Sequence, residues 1–552
     1  MGAYYLTNSS DRLDAVTDLM AKKRLTTYDK LVVGPVTILN FHKSGVTGYD
    51  NLYREEQDFI IGLGTYYYGA LFAEAALPRI WEDYKNGRNP FAEVGGHFNF
   101  IICRNGSVHL VTDKSGQYQA LYATQGGTFW VSSSLMAIAA SLGKLTPNKQ
   151  AILEFINIEA SFAGETVFTE IKHLEAGSIY ALGGATLAAR PYYDYHRDEP
   201  LEFPELIDRL TSYFQIFQQT HYSISCDLSG GYDSRTVASI LTRCNIDFVF
   251  NTNTDDVQPE GPSIAQEIAQ AANKDIELYM KDLSKYEYSA LVDDCLNVLE
   301  VARDIYRSAY APVYFHAKSR AHPIVLGGWG GELYRANNST AKRLPELIER
   351  RYVEPGVRFR RNERKQYTDR LMDKFSGTLS NLGEHPTKKG VEKIYYWEFM
   401  RYWGAGHITA FNQYCFRLHP LLDHCLIRPL FDVPLSAKLD GQFQKRVITS
   451  LAPTLARIRS HYGNQPFTAG ETKAIRRAVL EAQERAKYIA RRVWRNSGLN
   501  HVSSARLPEY CRQRDDSLED IIQLNTGDLT SSKAIGRYLT VAKVMGQLRL
   551  AG

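Results

Sequence analysis

Nine consecutive residues, Asp227-Leu228-Ser229-Gly230-Gly231-Tyr232-Asp233-Ser234-Arg235, constrain this chain more than any other stretch. They follow a short β-prone run, Tyr222-Ser223-Ile224-Ser225-Cys226, and precede an apolar run with helical spacing, Thr236-Val237-Ala238-Ser239-Ile240-Leu241. Strand, tight turn and helix are expected in that order. Two adjacent glycines lack Cβ atoms and let the backbone approach an anion closely. Ser229, Ser234 and the open N–H groups at the helix start can then hold phosphate oxygens. Asp233 sits inside the same cradle, where phosphate would repel it unless a hard cation such as Mg²⁺ took oxygen ligands from both. The bland alternative is a glycine-rich turn that binds nothing.

The pattern reads S-G-G-x-D-S and is not the G-x-x-x-x-G-K-[ST] of the P-loop. It resembles the pyrophosphate loop of the ATP-pyrophosphatase group, whose members cleave ATP to AMP and pyrophosphate through an adenylated intermediate. The resemblance implies that Leu228, Ser229, Gly230, Gly231, Asp233 and Ser234 bind ATP.

At 552 residues, two or three domains are expected. Charged residues make up 23% and hydrophobic ones 44%, a soluble composition, and the net charge of +4 is too small to argue for nucleic acid. The seven cysteines, Cys103, Cys226, Cys244, Cys295, Cys415, Cys425 and Cys511, form no C-x-x-C pair, so zinc is not expected. Their odd number and wide spacing suit a reducing compartment. The start, Met1-Gly2-Ala3-Tyr4-Tyr5-Leu6, has neither a basic n-region nor a long apolar one, and no run reaches the roughly 18 apolar residues of a membrane span. A cytoplasmic protein is expected, with no membrane span and no nucleic acid partner.

Residues 1–195 read mostly as strands. Leu31–Val33 and Val36–Leu39 are β-rich, Phe59–Tyr68 follows, and Gly96–Cys103 and Val108–Asp113 flank an Asn105-Gly106 turn, a hairpin signal. Thr128–Ser133 is a further strand, and Leu135–Ala139 is helical. Gly96-His97-Phe98, Thr112-Asp113-Lys114-Ser115-Gly116 with Leu121-Tyr122, Ser132-Ser133-Ser134 and Thr166–Gly177 are together similar to the amino-terminal glutaminase half of asparagine synthetases. The resemblance implies an antiparallel sheet sandwich of the Ntn type. That family attacks glutamine with an amino-terminal cysteine whose own α-amine is the base. Position 2 is Gly2, so glutamine hydrolysis is expected to be absent.

The second half alternates strand and helix, which implies a doubly wound parallel sheet with ligand at the carboxyl ends of its strands. Phe248–Asn253 is a second parallel strand, and in the relatives this strand lines the adenine and ribose pocket, which places Asn251 there. Ile264–Ala269 is a core-facing helix. Ile324-Val325-Leu326-Gly327-Gly328-Trp329-Gly330-Gly331-Glu332-Leu333 is similar to the family's L-S-G-E-G-A-D-E-L, a loop that faces the nucleotide, and so brings in Gly327 and Gly328. Trp329 falls where the family has its first Glu, and the family's magnesium-binding Asp has no clear counterpart. Glu332 either moves into that role beside Asp233 or matches the family's structural Glu. Close backbone packing explains the glycines equally well.

Residues 341–390 carry a basic insert, read as a solvated face in preference to a docking surface. Tyr395 to Ile458 reads as helical, with Arg417–Asp423 resembling the family's R-x-P-F-L-D turn. Pro453–Gly463 resembles P-x-x-[VI]-x-x-R-x-K-x-G, with His461 in the place of the family's charge-stabilising lysine. A histidine can serve there only when protonated; Lys445 is a rival source of the charge, and a surface loop histidine is the plain alternative. Residues 471–496 have the spacing of a basic amphipathic helix.

The resemblance to the asparagine synthetase superfamily covers about residues 30–465. It implies a glutaminase-like domain over 1–195 that is inactive, an ATP-pyrophosphatase domain over 196–470 and a basic helical extension over 471–552. Members without the amino-terminal cysteine, such as β-lactam synthetases and lasso-peptide cyclases, keep the adenylating half. The expected function is therefore an ATP- and Mg²⁺-dependent ligase joining a small-molecule or peptide carboxylate to an amine without glutamine. Its catalytic residues would be Glu332, Lys445 and His461, with metal on Asp233 and Glu332. Two alternatives stand beside it: an ammonia-fed amidotransferase acting on aspartate or a sugar acid, and a non-catalytic nucleotide-binding scaffold. The oligomeric state is open, a homodimer included.

Overall fold

A computed structural model describes residues 2–183, 187–195, 201–254, 260–335, 343–360, 362–460, 463–466 and 515–551. His461 and the amphipathic stretch 471–496 lie outside the described residues. The fold is mixed α/β, with antiparallel sheets first and a parallel sheet later.

The first half stacks two antiparallel sheets. One runs, edge to edge, through Lys172–His173, Leu121–Gln125, Thr128–Ser132, Ala3–Thr7, Val36–Phe41 and Tyr28–Val33. The other runs through Ala188–Pro191, Ser178–Leu182, Ser107–Thr112, Gly95–Arg104, Asp58–Tyr68 and Leu52–Glu55. Alternation along the strands sorts side chains into two cores. Ile61, Leu63, Ile101 and Cys103 face the first sheet, whereas Ile60, Phe100 and Ile102 pack under the helix Leu77–Lys85 through Leu77, Ile80 and Trp81. Tyr4 points inward, its hydroxyl accepting from Asn99 Nδ2 at 3.0 Å, and Tyr5 points outward to Ser141 on the helix Leu135–Ser141. The Asn105-Gly106 hairpin forms with both residues at positive φ (50° and 72°), the two-residue turn that matches strand twist.

The second half is built on a five-stranded parallel sheet: Ile276–Met280, Val249–Thr254, Ile224–Asp227, Ile324–Leu326 and Phe416–Leu418. Numbered by position along the chain, the strand order is 3-2-1-4-5, the doubly wound order, with the switch point between the first and fourth strands. Ile276–Met280 was not anticipated from sequence. Phe416–Leu418 corrects the all-helical expectation for 395–458: three residues are too few to carry a period, and their strand state comes from pairing with Ile324–Leu326.

The halves share one hydrophobic core, and polar contacts cross between them. Asp423 accepts from Gly96 N at 2.6 Å and from the hydroxyls of Tyr67 and Tyr213 at 3.3 and 3.1 Å. Lys43 donates to the carbonyls of Asn412 and Cys415 at 2.6 and 2.8 Å. In the basic insert, Arg350, Arg360 and Arg364 pair with Glu346, Glu519 and Glu349, so much of its charge is met within the chain.

Asp304 is an exception in the core. Its Oδ1 accepts from Tyr306 N and Arg307 N, but its Oδ2 is buried without a partner among the described residues. Burial pushes its carboxyl up to about 7. A carboxyl whose folded pKa is raised contributes stability fully below its ordinary pKa of about 4 and loses that contribution as pH rises through about 7. Asp304→Asn, which stays neutral, is expected to raise unfolding stability by about 1–2 kcal/mol at pH 8 and to change it little at about pH 3.5, below the ordinary pKa of the carboxyl. Urea titrations at the two pH values check this.

Candidate active site at the switch point of the parallel sheet

The loop 228–232 leaves the first strand at its carboxyl end and enters the helix Asp233–Arg243. Ser229 N–H donates to Ser234 Oγ at 3.0 Å, the two hydroxyls lie 3.0 Å apart, and Gly231 N–H donates to Ser229 Oγ at 3.3 Å. Arg235, wholly buried, holds the loop from behind. It donates to the carbonyls of Gly230, Ile458 and Arg459 at 3.4, 2.6 and 2.7 Å, and so ties the cradle to the segment that precedes His461.

A cavity of about 420 Å³ opens over this loop, within the ~300–1,000 Å³ range of small-molecule sites. Leu228, Ser229, Asp233, Ser234, Asn251, Gly328 and Glu332 all line it, so most of the residues singled out from sequence converge here. Gly230, Gly231 and Gly327 flank it in the backbone. Lys445 is buried, with Nζ 5.5 Å from the centroid of the Tyr232 ring, and does not line it. Asn251 is fully buried, and neither its Oδ1 nor its Nδ2 has a partner among the described residues. Arg417 Nη1 is likewise buried and unmatched. Buried polar atoms are rarely left so, and two such groups on one cavity wall are what a polar ligand would satisfy.

The glycines of the second loop have a structural reason. A Cβ on Gly328 would fall 2.5 Å from Ser234 N and 2.6 Å from Asp233 C. On Gly331 it would fall 2.5 Å from Asp233 Oδ1, and on Gly330, at φ 94°, 2.3 Å from Leu421 O. Close packing therefore accounts for them, and it presses the loop onto the start of the helix that carries Asp233. The ring of Trp329 lies 4.5 Å from that of His419 and nearly parallel to it, at 7°. Burial and the neighbouring Arg417 keep His419 neutral.

Three further residues shape the site, and sequence reading missed the role of each. Asp227 accepts from Lys318 Nζ at 2.8 Å and from Arg417 Nη2 at 2.6 Å. Burial works against its charge, but Arg417 and then Lys318 outweigh burial and hold the carboxyl well below the usual range. Lys318 is 91 positions from Asp227, on the helix Ala311–Ala321, and no local pattern marks it. Arg335 is the third. Its Nη2 and Nε reach Asp233 Oδ2 and Oδ1 at 2.8 and 3.2 Å, and Nη2 stands 4.0 Å from Glu332 Oε1. Gln444 Nε2 also donates to Asp233 Oδ1, at 3.0 Å. Burial, and then the charge of Asp233, raise the Glu332 carboxyl.

This donor set does not fit a divalent cation as it stands. Both Asp233 oxygens are taken, a guanidinium lies between the two carboxylates, and no cluster of three or more His, Cys, Asp or Glu suited to a metal occurs among the described residues.

The position that the sequence resemblance assigned to a nucleophile is also closed. Gly2 is buried with its N–H on Phe41 O, and a Cβ there would lie 2.7 Å from Leu25 Cδ2 and 2.9 Å from His42 O. No helix among the described residues is long and apolar enough to cross a membrane.

No family model and no curated protein matches this chain. Solved structures similar to part of it include an allosteric regulatory enzyme of purine biosynthesis, at 8% identity and a TM-score of 0.24 over 50% of this chain and 80% of that one. A glutamine phosphoribosylpyrophosphate amidotransferase from B. subtilis, complexed with ADP and GMP, is similar at 10% identity and a TM-score of 0.23, over 50% of this chain and 65% of that one. Likeness at that level carries neither a fold nor an activity to this chain.

Proposed function

We propose that the protein is an ATP-dependent, AMP-forming carbon–nitrogen ligase that joins a substrate carboxylate to an amine without hydrolysing glutamine. The observation that carries this is the S-G-G-x-D-S loop at the switch point, beneath a cavity whose wall holds the unmatched amide of Asn251. Ser229, Ser234 and the loop N–H groups hold phosphate oxygens. Asn251, in the second strand and paired in register with Asp227, faces the nucleoside. Lys318 and Arg417 supply positive charge where negative charge builds on the departing pyrophosphate. A substrate carboxylate oxygen bonds to the α-phosphorus of ATP as the bond to pyrophosphate breaks. The amine then adds to the activated carbonyl, loses a proton, and AMP departs. Holding the two reactants together supplies much of the rate.

The packing at Gly2 supports independence from glutamine. Neither the native protein nor Gly2→Cys is expected to release glutamate from glutamine, and Gly2→Cys is expected to lose about 1–3 kcal/mol of stability through overpacking. Glutamate release by either protein would refute this part.

The main test is AMP and pyrophosphate release from ATP with a panel of carboxylates, with and without ammonium. Ser229→Ala/Ser234→Ala is expected to slow release by about 100-fold or more. Ammonium dependence would favour an ammonia-fed amidotransferase on aspartate or a sugar acid. Tight ATP binding without turnover would favour a nucleotide-binding scaffold, a second reading that the Arg335–Asp233 pairing supports. Absence of ATP binding would sink the proposal.

A further inference from the structure

The carboxylates nearest the phosphate cradle are already bridged by a cation that belongs to the chain. We propose that Arg335, which meets Asp233 and Glu332 from behind the cavity wall, takes the place of a divalent cation in neutralising these two carboxylates, so that phosphate binding in this cavity does not depend on metal. The phosphate part of this inference rests on the function proposed above; the occupation of the cation position by Arg335 does not.

Three observations carry it. The contact with Asp233 is a two-point fork, Nη2 to Oδ2 and Nε to Oδ1, the geometry in which a guanidinium matches a carboxylate plane. Gln444 adds a third donor to Asp233, so its oxygens are satisfied without metal. The backbone is built for this approach: the turn Gly331–Arg335 places Glu332 and Arg335 three residues apart, and only a residue without Cβ at 331 lets the turn lie against Asp233. A guanidinium is charged at every physiological pH and offsets the charge of the carboxylate it forks onto. It therefore removes the repulsion between Asp233 and phosphate, the problem that a divalent cation would otherwise solve.

The test uses the full chain and two probes. Mn²⁺ alone is titrated and followed by the loss of its free electron paramagnetic resonance signal. The native protein is expected to take up no stoichiometric Mn²⁺, Arg335→Ala to take up one ion per chain, and Arg335→Ala/Asp233→Asn to lose it again. One Mn²⁺ bound by the native protein and lost in Asp233→Asn would overturn the inference. So would a folded Arg335→Ala that binds none; Arg335→Gln serves the same arm if the alanine variant does not fold. In the second arm, ATP affinity of the native protein is measured in Mg²⁺ and in EDTA. A change below about threefold is expected, and a loss of about tenfold or more in EDTA would count against the inference. If ATP binds in neither condition, the proposed function fails, and the Mn²⁺ arm still decides whether Arg335 fills the cation position.

Discussion

Gly328→Ala is expected to dismantle the Ser229–Ser234 loop of the candidate site. The new methyl carbon would sit 2.5 Å from Ser234 N, 2.6 Å from Asp233 C and 2.8 Å from Ser234 Cα. All three are backbone atoms, so no side chain can swing away. Either the loop 327–331 or the first turn of the helix Asp233–Arg243 must shift. Overpacking of this kind costs about 1–3 kcal/mol. The functional loss should be larger than the stability loss, because a displacement of about 1 Å in a positioning element can cost about 100-fold in rate. AMP release and ATP affinity should both collapse while the far-ultraviolet circular dichroism of the variant stays near native. Gly143→Ala is the matched control: nothing lies within 4 Å of a Cβ built there, and its φ is not in the positive region. Native ATP affinity in Gly328→Ala would mean that the two loops do not meet as described.

The second large effect is expected at Asp227. Removing its carboxylate, as in Asp227→Ala, leaves Lys318 and Arg417 with side chains 6% and 4% exposed and their shared counter-charge gone. Breaking a buried ion pair on one side costs about 3–5 kcal/mol, and the lower end applies because Asp227 itself is 29% exposed. The pH dependence follows from the depressed pKa of Asp227. A carboxylate held below its ordinary value contributes stability fully above about pH 4 and loses it as pH falls from there towards the folded value. The gap between native and Asp227→Ala in urea midpoint should therefore be wide at pH 7 and narrow in acid. Pairing Asp227→Leu with Lys318→Met should recover part of the loss, since replacing a buried pair by apolar groups is often close to neutral. An equal loss at pH 7 and at pH 3 would contradict the assignment of this carboxylate as the charge that holds the two cations.

Local chemistry was legible along the chain. Adjacent glycines, two serines and an apolar helical run define a strand–turn–helix from Ile224 to Arg243 without reference to anything distant. The Asn105-Gly106 hairpin follows from two residues that tolerate positive φ. Alternation marked the strands of the first half because each has two faces with different fates. The loop chemistry singled out Ser229, Asp233 and Ser234, and the family resemblance added Asn251, Gly328 and Glu332; all six line one cavity. It did not find the strand Phe416–Leu418, whose three residues are too few for a period.

The sequence by itself determined where the chain turns and which faces are apolar, because these depend on neighbours a few residues away. Tertiary structure decided which charge meets which. Arg335 reaches Asp233 across 102 positions, Lys318 and Arg417 reach Asp227 across 91 and 190, and Trp329 N–H donates to His419 across 90. Arginines and lysines are common along the chain, and nothing local distinguishes these from those that meet solvent. They are selected only when a 3-2-1-4-5 sheet brings the ends of its first, fourth and fifth strands together. At that convergence the low-dielectric surroundings make an unpaired charge costly, so the partner that the fold delivers decides what the carboxylate can do. The sequence left Asp233 open to a metal; the turn Gly331–Arg335, packed against it, supplies a guanidinium instead.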